Sequence, residues 1–245
     1  MADKRISITR WEVAYNSFHL LCTQRACHNL SKMPEIKLYY APGACSLAPH
    51  ILLHTSGLPF RAIPLRVGTI LTDFPPSFSL INPKMKVPVL CLDTEVITEI
   101  PAIATAISNL VPERYFVGKT DMEVVRVYEW MNWLSGTLHG AGFGHVFRPQ
   151  RWSVQGDGLE GIREQGLVVV KECFDMIEGK LAGVYAVGGG LTVVDAYLFV
   201  FYRWGNEMGL DMKGKYPKYA ALVKNLLELD AVKETLKVED IVYKL

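Results

Sequence analysis

Three short segments carry residue types that can do chemistry. The first is Pro42-Gly43-Ala44-Cys45-Ser46, between a strand signal and the first turn of a helix. A thiol there feels the helix dipole and unpaired amides, both of which favour the thiolate. The competing reading of Cys45 is a small buried hydrophobe, the usual condition of a free cysteine. The second segment is Val87-Pro88, at the opening of a hairpin. Proline inside a strand belongs at an edge or a strand start, and a tight bend there suits a cis bond. Val87 then turns its N–H and C=O sideways, ready to pair with an extended peptide-like ligand. An ordinary turn proline is the alternative. The third segment is Thr98-Glu99-Ile100-Pro101, where a helix begins. Its free amides suit a carboxylate, and Glu99 offers a counter-charge to an ammonium. Together they suit an amino-acid head group bearing both charges. A plain helix cap is the alternative, although isoleucine is a poor capping residue.

These segments need a scaffold, and the pattern from Ile36 onward supplies one. Lys37 to Tyr40 is predicted as a strand stopped by Pro42-Gly43, and Ser46 to Thr55 as a helix stopped by Gly57. Phe60 to Arg66 is a second strand, followed by a loop around Asp73-Phe74-Pro75-Pro76. Val87 to Leu92 and Val96 to Thr98 form a hairpin, and Pro101 to Leu110 a helix with proline in its first turn. This βαβ–ββα order fits a thioredoxin-like layer of sheet and helices. After Arg114 only helices are predicted: Asp121 to Leu138, Leu159 to Glu178, Thr192 to Glu207, Pro217 to Leu229 and Ala231 to Leu236. The expected class is α/β followed by all-α. Residues 36–114 make a thioredoxin-like domain, 121–245 a helical bundle domain and 1–35 an extension expected to be disordered.

Composition narrows the function. Half of the 245 residues are hydrophobic and 21% are charged, which excludes intrinsic disorder. A net charge of +1 gives no global pull toward nucleic acid or acidic lipid, so neither is an expected partner. The five cysteines (Cys22, Cys27, Cys45, Cys91 and Cys173) form no C-x-x-C pair, which offers neither a disulfide framework nor a zinc site. No metal is expected, and a reducing, cytoplasmic compartment is the simplest reading. Leu181 to Tyr202 holds one charge, Asp195, but is interrupted by Gly188-Gly189-Gly190. Thr192 and Asp195 then form a capping box, so the stretch from Val193 is a buried helix and not a membrane span. The basic segment before Met33 has three readings: a disordered stretch, a spurious extension of a chain starting at Met33, or a mitochondrial targeting sequence.

Taken in order, the chemical segments and their neighbours resemble a family. Lys37 to Leu47, Asn82 to Leu90 and Thr98-Glu99 are similar to the bacterial-type (beta-class) glutathione S-transferases. So are Glu129 to Trp133, Leu138-His139, Phe147-Arg148-Pro149 and Thr192 to Phe199. The resemblance implies the same two-domain fold, a homodimer, and glutathione as co-substrate. It implies that Cys45 holds the glutathione sulfur or forms a mixed disulfide with it, with Tyr40 and Ser46 nearby. Val87, before Pro88, would pair with the cysteinyl backbone, and Glu99 with the Ile100 amide would take the γ-glutamyl group. Asn132, Gly136, Thr137 and His139 would reach the cleft from the helical domain. His139 then stabilises the thiolate as donor or general base, or else is a satisfied core histidine.

Three departures from the family pattern bear on glutathione affinity more than on fold. Ile100 stands where serine or glycine is common and is expected to crowd the γ-glutamyl pocket. A lysine for the glycinyl carboxylate is missing from Val67 to Leu71, with Arg66 the nearest cation in sequence. The loop expected after His139, Gly140 to His145, carries an extra residue and three glycines. Phe143, His145, Phe147, Trp152, Tyr202 and Trp204 are candidates to line a second pocket for a flat hydrophobic electrophile, or else are plain core. Conjugation is thus the leading expectation. The alternatives are glutathione-dependent thiol–disulfide exchange, a tailoring role in specialised metabolism, and a non-catalytic ligand carrier.

Overall fold

The computed structural model describes residues 33–65, 74–153 and 156–243. The expectations for residues 1–32, for Arg66 and for 67–71 lie outside them. Four strands, β1 (Ile36–Tyr40), β2 (Arg61–Pro64), β3 (Val89–Leu92) and β4 (Glu95–Thr98), form one mixed sheet in the order β2-β1-β3-β4. β1 runs parallel to β2 and antiparallel to β3, with Leu38 opposite both Ala62 and Leu90. β4 returns antiparallel on β3 as the hairpin expected, pairing Leu90 with Ile97. β3 starts at Val89 and not at Val87, because Pro88 has no N–H to give a ladder.

Alternation in β1 separates two cores. Ile36, Leu38 and Tyr40 point into the main core, while Tyr39 meets Val89, Cys91 and Phe78 on the other face. Helix α1 (Leu47–Ser56) lies under the first face and ends at Gly57, whose φ of +73° is the left-handed stop. Leu47 to Leu53 are all buried, because α1 is covered by the sheet on one side and by two later helices on the other. Helix α2 (Ile100–Leu110) follows β4, one residue earlier than its proline suggested. This is the thioredoxin-like layer.

The remaining elements are helical: α3 (Asp121–Trp133), α4 (Gly144–Phe147), α5 (Leu159–Lys180), α6 (Val193–Glu207), α7 (Met212–Lys215), α8 (Pro217–Leu227) and α9 (Asp230–Val238). α6 and α9 pack on α1, so a single hydrophobic core runs through both layers. The capping box at Thr192 and Asp195 starts α6 as its sequence demanded: Asp195 accepts from Thr192 N–H at 2.8 Å and from Ala186 N–H at 2.7 Å. Among the described residues no helix is long and apolar enough to cross a membrane.

The expected loop after His139 is not a loop. Leu134–Phe143 is a π-helix that joins α3 to α4, with the Gly144 N–H donating back five residues to the His139 carbonyl. The glycines have a steric reason. A Cβ on Gly140 would lie 3.2 Å from the Ser135 carbonyl, and one on Gly144 3.2 Å from that of His139. In both cases the crowding atom is five residues back, where the wide π turn brings it beneath the glycine. α5 then crosses closely, and a Cβ on Gly166 would sit 2.6 Å from the His145 Cβ and 2.9 Å from the Gly142 carbonyl.

Candidate active site

The turn before α1 is built by local bonds. Ser46 Oγ accepts from the Ala41 N–H at 3.2 Å and donates to the Ala41 carbonyl at 3.1 Å. That hydroxyl is buried in the turn, where it braces the backbone beside Cys45. Tyr40 is turned under α1, its ring 4.9 Å from that of His50, and burial with the nearby Glu239 charge pushes its hydroxyl up.

Cys45 faces Val87 across this turn, with its Sγ 3.5 Å from the Val87 carbonyl. The Val87–Pro88 bond is cis. The thiol itself differs from expectation. It is 8% exposed, and burial pushes it up to about 12, against the pull of Arg148 and of the amides of Cys45 and Ser46. The helix terminus does favour thiolate as the sequence suggested, but desolvation is the larger effect. At neutral pH Cys45 is a thiol.

Glu99 holds φ +70° at the start of α2, a strained conformation for a non-glycine residue. Its carboxylate already has an ammonium: Lys84 Nζ donates to Glu99 Oε1 at 2.5 Å and to Thr98 Oγ1 at 2.6 Å. This partner was not foreseen. Ile100, expected to crowd this region, is 5% exposed and packs into the main core, because the first turn of α2 aims it inward.

From the helical layer, Asn132 and Gly136 are exposed and Thr137 half-buried on the α3–π segment. His139 lies on the π-helix and packs against Tyr197, Phe201 and Trp204, with ring centroids 6.1, 5.9 and 5.5 Å away. The positions are i, i+4 and i+7 of α6, one face of that helix. Tyr197 hydroxyl lies 2.9 Å from His139 Nδ1. Burial holds that phenol well above its usual range, so it stays protonated and shares a hydrogen bond with His139 Nδ1. Burial, then the charges of Arg148, Lys86 and Arg151, lower the imidazole from 6.5 to about 4. His139 is neutral at pH 7.

The same electrostatic couplings show what has been gathered. A thiolate at Cys45 would be felt by Tyr197 and Arg148, and the charge of Glu99 is felt by Cys45, His139 and Tyr197. Tyr197 and Arg148 had no assigned role in the sequence. Tyr197 carried a signal, since a buried tyrosine needs a partner for its hydroxyl. Arg148 carried only its place between Phe147 and Pro149.

The aromatic candidates divide. Phe143 stacks on Phe201 at 5.7 Å and on Phe147 at 5.4 Å, and Phe147 is 44% exposed beside Trp204. Trp152 is exposed and meets His145 edge-on at 4.4 Å. Tyr202 faces Tyr219 at 5.0 Å in the deep core, one residue of helical rotation away from the Phe201 face. No group of three or more His, Cys, Asp or Glu arranged to hold a metal occurs among the described residues.

Comparison with known proteins points one way. Residues 43–110 match the glutathione S-transferase N-terminal domain family and residues 147–230 the C-terminal domain family. The chain is 30% identical over 206 residues to the glutathione S-transferase GstA of Escherichia coli O157:H7, covering 83% of this chain and 98% of that one. It is 30% identical to the bacterial beta-class enzyme of Sphingomonas chungbukensis, with a TM-score of 0.72 over 84% of this chain and all of that one. A Sulfitobacter glutathione transferase homologue with bound glutathione is 27% identical, with a TM-score of 0.78 over 86% of this chain and 100% of that one.

Proposed function

We propose, for a chain that belongs to the glutathione S-transferase family, that it conjugates glutathione to a hydrophobic, aromatic electrophile. One observation carries the reading: a neutral His139, oriented by Tyr197, lies in the electrostatic field that also covers Cys45 and Glu99. Glutathione would lie along Val87, Pro88, Glu99 and the Ile100 amide, with its sulfur near Cys45. The Ile100 amide belongs to the first turn of α2, where backbone donors are free to bind a carboxylate. Lys86, Arg148 and Arg151 supply positive charge for glutathione carboxylates in place of the missing lysine. Asn132, Gly136 and Thr137 are proposed to contact the ligand from the α3–π segment.

The chemistry asked of the protein is modest. Glutathione loses its thiol proton to solvent, and the sulfur forms a carbon–sulfur bond while a halide or other leaving group departs with its electron pair. The His139 Nε2–H and the Cys45 S–H are donors that stabilise the sulfur anion before it attacks. Phe143, Phe147 and Trp204 offer an apolar wall for a flat electrophile. The homodimer, cytoplasmic location and detoxifying or specialised-metabolic role belong to the same proposal.

Disulfide exchange is less well supported, because it requires a Cys45 thiolate and burial opposes one. Cys45→Ala separates the two. Conjugation of an activated aryl halide should persist within about tenfold of wild type, while exchange with glutathione disulfide should be lost. Loss of both activities in a folded variant would contradict conjugation as a reaction separable from Cys45 chemistry and favour the exchange reading.

A further inference from the structure

The Cys45 turn is held from across the molecule. Gly43, two residues before the sulfur, has both backbone polar groups taken by the helical layer. Its N–H donates to Glu239 Oε2 at 2.8 Å, and its carbonyl accepts from Trp204 Nε1 at 3.0 Å and from the Arg203 guanidinium. The other oxygen, Glu239 Oε1, meets His50 Nδ1 at 2.7 Å, both side chains being wholly buried. His50 lies on α1, the helix that Cys45 leads into, so one carboxylate ties the turn to its own helix. Glu239 immediately follows α9, and its charge also reaches Tyr40 and Arg203. Gly43 has φ +71°, and a Cβ there would lie 2.8 Å from the Arg203 guanidinium, so only glycine permits the approach. Burying a carboxylate is costly, and capping α9 does not require one. What distinguishes this carboxylate is that one oxygen takes the Gly43 N–H of the Cys45 turn and the other meets His50 on the helix that follows.

We propose that Glu239 is a positioning residue for the thiol site. Its carboxylate fixes the Gly43 peptide, and through it the Cys45 turn, at the separation from Val87 that a bound glutathione sulfur needs. The inference rests on the reading of this turn as the glutathione site. Without Glu239, the Gly43 N–H loses its buried acceptor and the turn is released from α1. Misplacement of a site by about 1 Å costs as much as a hundredfold in rate.

The test uses the full chain with Glu239→Ala and Glu239→Gln, each studied below its own melting temperature. Glutathione affinity is read by calorimetry and Cys45 exposure by its alkylation rate with iodoacetamide, Cys45→Ala giving the background from the other thiols. Glu239→Ala should weaken glutathione binding by about tenfold and speed Cys45 alkylation by a similar factor. Glu239→Gln keeps an acceptor for the Gly43 N–H and should restore both to within about threefold. A folded Ala variant with wild-type affinity and alkylation rate overturns the proposal, whatever its melting temperature, because only a stabilising role would then remain. If the Ala variant does not fold, Glu239→Asp takes its place. Its side chain is one methylene too short to span both partners, and the same results decide. If the wild type itself fails to bind glutathione, the glutathione reading fails, and the alkylation rates alone decide the role of Glu239.

Discussion

At the scale of single residues, the site depends on which groups are charged at neutral pH. Cys45 and His139 are both neutral there, for one reason: burial penalises thiolate and imidazolium alike. The site therefore offers hydrogen-bond donors to an incoming sulfur and not a pre-formed nucleophile. Glu99 remains an acceptor, and Lys84 already sits on it. That pair is exposed, with half or more of each side chain in solvent, so it is worth about 0–1 kcal/mol. In the proposed binding mode a ligand ammonium displaces Lys84 at that small cost. Lys84→Met should accordingly tighten glutathione binding by up to about fivefold at low salt, with the gain fading as salt rises. Calorimetry at two ionic strengths checks it, and weaker binding in the variant would show that Lys84 holds the ligand itself. The types and spacing of Cys45, Val87-Pro88 and Glu99 were legible in the sequence because each sits at an element boundary. Lys84 was not, because its partner is chosen by the hairpin geometry fourteen and fifteen residues on.

At the scale of elements, the π-helix Leu134–Phe143 sets where His139 stands. Its glycines suggested a loop, because glycine in sequence signals chain reversal as readily as crowding. The distinguishing fact is that α5 presses on this segment, which lies outside any local pattern. Gly166 is the point of closest approach. Gly166→Ala places a Cβ against the His145 Cβ and the Gly142 carbonyl and should destabilise the chain by roughly 1–3 kcal/mol. The strain falls on the π segment, so glutathione turnover should drop more than the Cys45 alkylation rate changes. Urea unfolding together with steady-state kinetics checks it, and unchanged turnover would show that the π segment tolerates displacement. The strands, α1 and α6 were easier to foresee. Alternation in β1, Gly57 after α1 and the Thr192/Asp195 box before α6 are each decided by residues within a few positions of one another.

At the scale of the whole molecule, the site exists only where the two layers meet. Cys45, Val87 and Glu99 come from the thioredoxin-like layer, and His139, Tyr197 and Arg148 from the helical one. The bonds that join the layers, such as Glu239 to Gly43 and Trp204 to Gly43, span 196 and 161 residues, so nothing local in the sequence announces them. Stability carries the mark of this burial. Asp195 is raised from 3.8 to about 6 by burial, so the folded state favours its protonated form. Its contribution is full below about 3.8 and is lost as pH rises through about 6, costing about 3 kcal/mol at neutral pH. His139 runs the other way. Lowered from 6.5 to about 4, it contributes fully above 6.5 and loses about 3 kcal/mol as pH falls through 4. The two slopes oppose each other across one window. Asp195→Asn removes the first, so its stability should fall more steeply than that of wild type as pH drops from 6.5 to 4. Urea denaturation across that range measures the difference, and parallel profiles would contradict it.

The central claim is that this interlayer site binds glutathione and lowers its thiol pKa through a neutral His139. The direct measurement is an ultraviolet difference titration of glutathione bound to the wild type and to His139→Phe, which keeps a ring and removes the donor, after calorimetry has fixed the affinity. The account predicts binding in the micromolar to low millimolar range and a bound thiol that ionises well below about 8.5, the ordinary value for a free thiol. The His139→Phe variant should bring the ionisation back toward that value, with glutathione affinity changed less than the titration. Absence of binding, or a bound thiol that titrates as it does in free solution, contradicts the account.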